Sequence, residues 1–131
     1  MHAIVAVIES GDEVLMVERA AIDTYPGYWN AVTGGLDDGE DQRAGCIREA
    51  FEEVGLEIIP VRKVWETITS RAHFVLHWWQ CELAGPRHVT PNPEEVGDWQ
   101  WVKRDAAHLL PLMFADSRWF FREIYPVTRR P

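Results

Sequence analysis

The chain has 131 residues, a formal net charge of −8 and 47% apolar side chains, which sets it as a single domain over residues 1–131 with room for a core of its own. The acidic balance excludes a general nucleic-acid surface, which would need a basic patch. No apolar run approaches the roughly 20 residues that span a bilayer, and the start MHAIVAVIESGDEVLMVE has neither a basic leader nor a cleavage site, so no membrane and a cytoplasmic location are expected.

Residues 3–9 (AIVAVIE) and 13–19 (EVLMVER) are apolar, β-branched runs around SGD, which predicts a strand, a tight turn and a second strand. The loop AAIDTYPGY follows, with the turn formers Pro26 and Gly27, then a short extended run WNAVT. GGLDDGED breaks regular structure, and a helix is expected from Gln42 to Val54, stopped by Gly55. Residues 56–70 and 72–83 read as further strands, the second alternating Phe74, Leu76 and Trp78 on one face with His73, Val75, His77 and Trp79 on the other. A long polar loop, AGPRHVTPNPEEVG, leads to the strand DWQWV, the short helix KRDAAHLL and a last amphipathic helix, LMFADSRWFFREIY. The pattern predicts an α/β or α+β sandwich. Cys46 and Cys81 stand apart, one in a helical and one in a strand pattern, and read as reduced, buried thiols.

The charge is concentrated. Residues 37–57 hold eight acids against two bases, and REAFEEVGL (48–56) puts Glu49, Glu52 and Glu53 within an arc of about 100° on a helical wheel. Ile47, Ala50, Phe51 and Val54 fall opposite and are the expected core stripe. Like charges so placed repel by a few tenths of a kcal/mol per pair, roughly. A merely solvated acidic face would carry basic residues one turn away, and Arg48 is the only one nearby. A divalent-cation site explains the spacing: hard ions such as Mg²⁺ take carboxylate oxygens and keep waters around a substrate phosphate. The preceding glycines let backbone approach a ligand closely.

Gly34, then Glu40, then Arg48, Glu49, Ala50, Glu52, Glu53, Gly55 and Leu56 match the Nudix box, G-x5-E-x7-R-E-U-x-E-E-x-G-U, at every fixed position, so the chain resembles the Nudix hydrolases. The resemblance implies an α/β/α Nudix-type sandwich with a mixed β-sheet, Mg²⁺ or Mn²⁺ as cofactor, and hydrolysis of a nucleoside diphosphate linked to another moiety by attack of water at phosphorus. It implies metal ligation by Glu52 and Glu53, a ligand or general-base role for Glu49, and a salt bridge from Arg48 to Glu40 that orients the helix. Glu49, Glu52 and Arg48 are thus the catalytic candidates, while a carbonyl near Thr33 or Gly34 joins the metal shell and Gly35 and Gly55 support the site. The chain departs from many members in having Val32 and Thr33 before the glycines, and Asp37 and Asp38 where a glutamate is common.

Outside the box, Glu95 or Glu94 is the candidate extra carboxylate, as metal ligand, base or substrate contact, against a reading in which NPEE simply opens a helical turn. Arg19 resembles an arginine that touches substrate phosphates. Trp29, Trp78 and Trp79 are candidates for stacking on a base, core packing being the alternative for each. His73 and His77 read as polar surface or substrate contacts. The expected substrate is a small-molecule nucleotide, by elimination a nucleoside triphosphate or a related, including damaged, nucleotide. ADP-ribose, nucleotide sugars, dinucleotides and a non-catalytic nucleotide-binding module are the alternatives, and a homodimer is left open.

Overall fold

The computed structural model describes residues 1–22, 24–69 and 73–128; Ser70 and Ala72, at the edges of two expected strands, lie outside the described residues. Strands β1 (His2–Ser10), β2 (Glu13–Arg19), β3 (Trp29–Asn30), β4 (Val32–Gly35), β5 (Ile58–Ile68), β6 (Val75–Leu83) and β7 (Val96–Lys103) form one mixed sheet. Among the described residues only β1 and β6 run parallel; every other pair is antiparallel. Helix α1 (Gln42–Val54) covers one face. A 3-10 turn (Arg104–Leu109), α2 (Ala115–Trp119), a π-wound turn (Phe120–Ile124) and α3 (Tyr125–Thr128) cover the other. This is the expected α/β/α sandwich.

The central strand explains the layering. Along β1 every residue from Ala3 to Ile8 is buried, the pattern of a strand covered on both sides. Ile4, Ala6 and Ile8 pack toward α1 with Leu15, Ala50, Val54 and Leu56, while Val5 and Val7 pack toward the C-terminal helices with Met16, Phe120, Phe121 and Tyr125.

One departure from regular pairing makes the site. β1 pairs with β2 at Glu9 and Ser10, but with β4 from Ala3 to Ala6. The sheet therefore forks, and β3, paired to the end of β2, fills the fork.

Helix α1 begins and ends where its sequence predicts. Asp41 caps it by accepting from the Ala44 N–H at 2.9 Å, and Gly55 closes it at φ 67°. The polar loop after β6 docks on its far end, where the Thr90 and Asn92 N–H groups donate to the carbonyls of Val54 and Glu53 at 2.9 and 2.8 Å. These are terminal carbonyls the helix itself leaves unpaired.

The rotation of α1 corrects the expected core stripe. Ile47 and Phe51 are 46% and 63% exposed, whereas Cys46, Ala50 and Val54 are fully buried and Glu49 and Glu53 lie with them at 9% and 6%. Two glutamates, not Phe51, face the sheet. The expected stacking roles of Trp29 and Trp78 are corrected as well. Trp78 is completely buried, its ring 4.3 Å from that of Phe120 and its indole N–H donating to Thr67 Oγ1, and Trp29 is 4% exposed in the same cluster. Neither ring has a face left for a ligand.

These placements set opposite costs. Phe51→Gln changes stability by less than about 0.5 kcal/mol, whereas Trp78→Ala loses about 3–5 kcal/mol. Urea-denaturation midpoints measure both, and a costly Phe51 would return it to the core.

Candidate active site

The fork of the sheet holds a cleft of about 240 Å³, walled by Val17 and Arg19 of β2, Asn30, Ala31, Thr33, Gly34 and Gly35 of β3 and β4 with their link, Glu49 and Glu53 of α1, and Glu95. Carboxylate oxygens of Glu49, Glu53 and Glu95 all lie within 4.8 Å of one another. Residues 46 positions apart in the chain thus converge because α1 and the loop docked on its end share one wall.

Close approach of α1 to β4 depends on glycine. A Cβ on Gly34 would overlap the Glu49 carboxylate, and one on Gly45 would overlap Leu36. The helix can therefore lie low enough to push Glu49 into the cleft.

Arg48 compensates the acids from the side. Its Nε and Nη2 grip both oxygens of Glu40 at 2.8 and 2.9 Å, Nη1 reaches Glu49 at 2.8 Å and Glu52 at 3.1 Å, and Nη2 also donates to the Gly35 carbonyl at 2.8 Å. The forked, bidentate geometry suits a guanidinium and not an ammonium. The bond from Arg48, reinforced by the Asp37 N–H, lowers the Glu40 carboxyl to about 2, and Glu40 in turn raises the Arg48 pKa. The box glutamate and arginine thereby tie the glycine-rich loop to the helix.

Glu53 has no such partner. Its Oε2 is buried without a hydrogen bond. Burial first, then the adjacent Glu49 and Glu95, push its pKa up to about 10, with Arg19 opposing. An all-oxygen donor set with a buried, unpartnered carboxylate oxygen fits a hard divalent cation, which would neutralise this crowding.

The other expected residues fall elsewhere. Glu52 is half exposed at the surface of α1, ion-paired to Arg48, and is not part of the converging group. Of the two loop carboxylates, Glu95 enters the cleft and Glu94 stays outside. Asn92 builds this difference by accepting from the Glu94 N–H with its side chain and from the Glu95 and Val96 N–H groups with its carbonyl. NPEE is therefore a turn, and the turn aims Glu95. Arg19 stands in the cleft, its Nε donating to the Thr24 carbonyl.

Trp79 lies outside the carboxylate cleft, on the wall of the cavity that His2 and Lys63 also line, with Gln42 on its indole N–H and the Arg43 guanidinium 4.7 Å over its ring. His77 is buried rather than on the surface, bonded at 2.8 Å to both His2 and Lys63 beside a second, wider cavity of about 1100 Å³. Thr33 lines the carboxylate cleft as expected, and Asn30 lines it without having been singled out; the only signal for Asn30 in the sequence is its place in the short extended run between the turn and the glycines.

A forked mixed sheet between two helical layers, with convergent carboxylates at the fork and an arginine tying loop to helix, defines a class of domain. The chain belongs to the NUDIX domain family, whose model matches residues 1–124. It is 27% identical over 127 residues to the NAD-capped RNA hydrolase NudC of Stutzerimonas stutzeri, covering 97% of this chain and 45% of that protein. It is 35% identical over 118 residues to the isopentenyl-diphosphate Delta-isomerase of Clavibacter michiganensis subsp. michiganensis, covering 82% and 58%. The chain thus spans about half the length of these curated relatives. Among solved structures, a MutT protein from Methanosarcina mazei superimposes with TM-score 0.82 at 18% identity over 99% of this chain and 96% of that one. A C. elegans Ap4A hydrolase gives 0.76 at 22% identity over 95% and 96%. These two share the fold.

Two titrations test the electrostatics. Folding lowers the Glu40 pKa from 4.5, so its stabilisation is complete above about pH 4.5 and is lost as pH falls toward 2. Glu40→Gln should melt below the native chain at pH 7, with the gap closing by about pH 2. Folding raises the Glu53 pKa, so without metal its cost is absent below about pH 4.5 and grows as pH rises toward 10. Metal-free Glu53→Gln should therefore melt above the native chain at pH 8, and should gain none of the stabilisation expected when Mg²⁺ is added to the native chain. Differential scanning calorimetry at stepped pH reads both effects.

Proposed function

We propose that this chain is a divalent-metal-dependent hydrolase of a pyrophosphate linkage in a nucleoside diphosphate derivative, foremost a nucleoside triphosphate or a related, including damaged, nucleotide. The observation that carries this is the buried, unpartnered Glu53 oxygen facing Glu49 and Glu95. A carboxylate so placed is costly alone and useful with a cation. Relatives named for NAD-capped RNA, for Ap4A and for ADP-ribose have substrates that share a phosphoanhydride, which supports the reaction type and leaves the group beyond the phosphates to experiment.

Glu49, Glu53 and Glu95 would hold Mg²⁺ or Mn²⁺, which when bound offsets diphosphate charge and makes a coordinated water more acidic. The chain's own residues do the positioning. Arg19, on the opposite wall of the cleft, donates to a phosphate oxygen and fixes the phosphorus against the carboxylates. Arg48 holds Glu49 in one rotamer through Glu40 and the Gly35 carbonyl, so that the acidic wall is set before substrate arrives. A carboxylate not engaged by the ion takes the proton of the attacking water: Glu49 at the floor or Glu95 at the rim. Glu52 keeps the helix end acidic and neutralises the remaining Arg48 donor.

A screen of nucleoside triphosphates, ADP-ribose, nucleotide sugars, dinucleotides and isopentenyl diphosphate, with and without Mg²⁺, tests the proposal by product analysis. Metal-dependent release of phosphate-containing products is expected from a nucleotide. Glu53→Gln should lower turnover by orders of magnitude while the protein still melts cooperatively, and near-normal turnover would remove Glu53 from the mechanism. Tight nucleotide binding without any product would make the chain a sensor instead.

A further inference from the structure

The geometry points to a base-stacking platform formed by Tyr28 and Phe114, with Tyr25 against them, just beyond the end of the carboxylate cleft marked by Arg19 and Asn30; its ligand is the aromatic base of a nucleotide whose phosphates lie at Glu49, Glu53 and Arg19. This rests on the reading of the cleft as a phosphate site and adds what recognises the rest of the substrate.

The register places Tyr28. β2 pairs with β3 through Val17 opposite Asn30 and Glu18 opposite Trp29. One step further, Arg19 N–H donates to the Tyr28 carbonyl at 2.9 Å while Gly27 N–H donates to the Arg19 carbonyl at 3.0 Å. With Gly27 at φ 83°, this is a bulge in which the glycine is the inserted residue and Tyr28 sits opposite Arg19. Side chains alternate along an extended strand, so Tyr28 shares a face with Asn30, which lines the cleft, and not with Trp29, which is buried in the core. Two residues of extended chain, about 7 Å, separate the Asn30 and Tyr28 positions, a gap that a ribose bridges.

The aromatic cluster is built and partly open. Tyr28 and Phe114 stack with centroids 4.4 Å apart, and Tyr25 meets both edge-on at 5.7 and 5.1 Å. All three rings are half-buried. The loop bends to assemble them: Pro26 and Gly27 occupy the centre of a turn closed by Tyr28 N–H on the Tyr25 carbonyl, and Tyr25 takes a left-handed φ of 55°, which a bulky residue adopts at a cost. Trp29 N–H fixes the approach of the Phe114 segment by donating to the Leu112 carbonyl at 2.8 Å. A tether alone would be served by aliphatic side chains buried in the seam. Rings left partly open next to a phosphate cleft offer a flat apolar surface where a base can stack, a contact that tolerates different bases.

Isothermal titration in Mg²⁺ with ATP, GTP, CTP and UTP, and with inorganic tripolyphosphate as the base-free probe, tests the platform without requiring turnover. The native chain should bind nucleoside triphosphates roughly 5- to 150-fold more tightly than tripolyphosphate, the range base stacking gives. Tyr28→Leu and Phe114→Leu should collapse that ratio and leave tripolyphosphate affinity within about twofold, whereas Tyr28→Phe keeps the ratio; melting temperatures check that each variant is folded. The platform is overturned if the native chain shows no preference for nucleotides, if it binds none, or if the leucine variants weaken both ligands equally. Hydrolysis of base-free anhydrides with no nucleotide preference would sink the platform and keep the hydrolase; nucleotide binding lost in Tyr28→Leu without any turnover in the native chain would do the reverse.

Discussion

The geometry of Arg48 is the constraint on which the site depends. Four carboxylates, those of Glu40, Glu49, Glu52 and Asp37, surround one guanidinium, which also takes the Gly35 carbonyl. Without that hub Gly35 and Glu40 of the glycine-rich loop lose their side-chain tie to α1, and Glu49 has no reason to hold one rotamer among like charges. The arginine also separates two electrostatic regimes a few ångströms apart. On its side Glu40 is held ionised far into acid, while beyond Glu49 the Glu53 carboxyl is driven toward neutrality. A chain that keeps both has a cationic compensation built in on one flank and leaves the other to be supplied from outside.

The sheet contributes the space. Because β1 changes partner from β2 to β4, the strands splay and a polar cleft opens at the edge of an otherwise close-packed core. Gly34 lets the helix drop into that fork, and the loop that caps the carbonyls of Val54 and Glu53 swings Glu95 to the third side. Helix capping and site assembly are therefore one set of hydrogen bonds. Loosening the 90–95 segment would disturb both.

Much of this was legible in the sequence. Alternation and turn residues gave β1, β2 and the sandwich, Asp41 and Gly55 bracketed α1, and the spacing of the acidic residues marked α1 as a carboxylate-bearing wall. The rotation of α1 was not legible, since a wheel sorts residues by polarity and so turns Phe51 inward. Here the glutamates pack inward because glycines 34 and 45 leave room for them and Arg48 offsets their charge, and neither fact enters hydrophobic periodicity. Trp29 and Trp78 were ambiguous for a related reason: in a strand covered on both faces, alternation tells which face a ring occupies and not whether that face is wet. The separation of Glu95 from Glu94 turned on one Asn92-centred turn, and the meeting of Tyr28 with Phe114 joins segments from opposite ends of the chain, which no local pattern reports.

The proposed reaction requires a cation among Glu49, Glu53 and Glu95, held there by carboxylates that Arg48 and Gly34 position. Anomalous diffraction from crystals of the native chain grown with Mn²⁺ locates such an ion directly. A peak within bonding distance of Glu53 and of at least one of Glu49 and Glu95 is the result this arrangement predicts. A peak confined to Glu52, Asp37 and Asp38 on the outer side of Arg48, with Glu53 left bare, would contradict it.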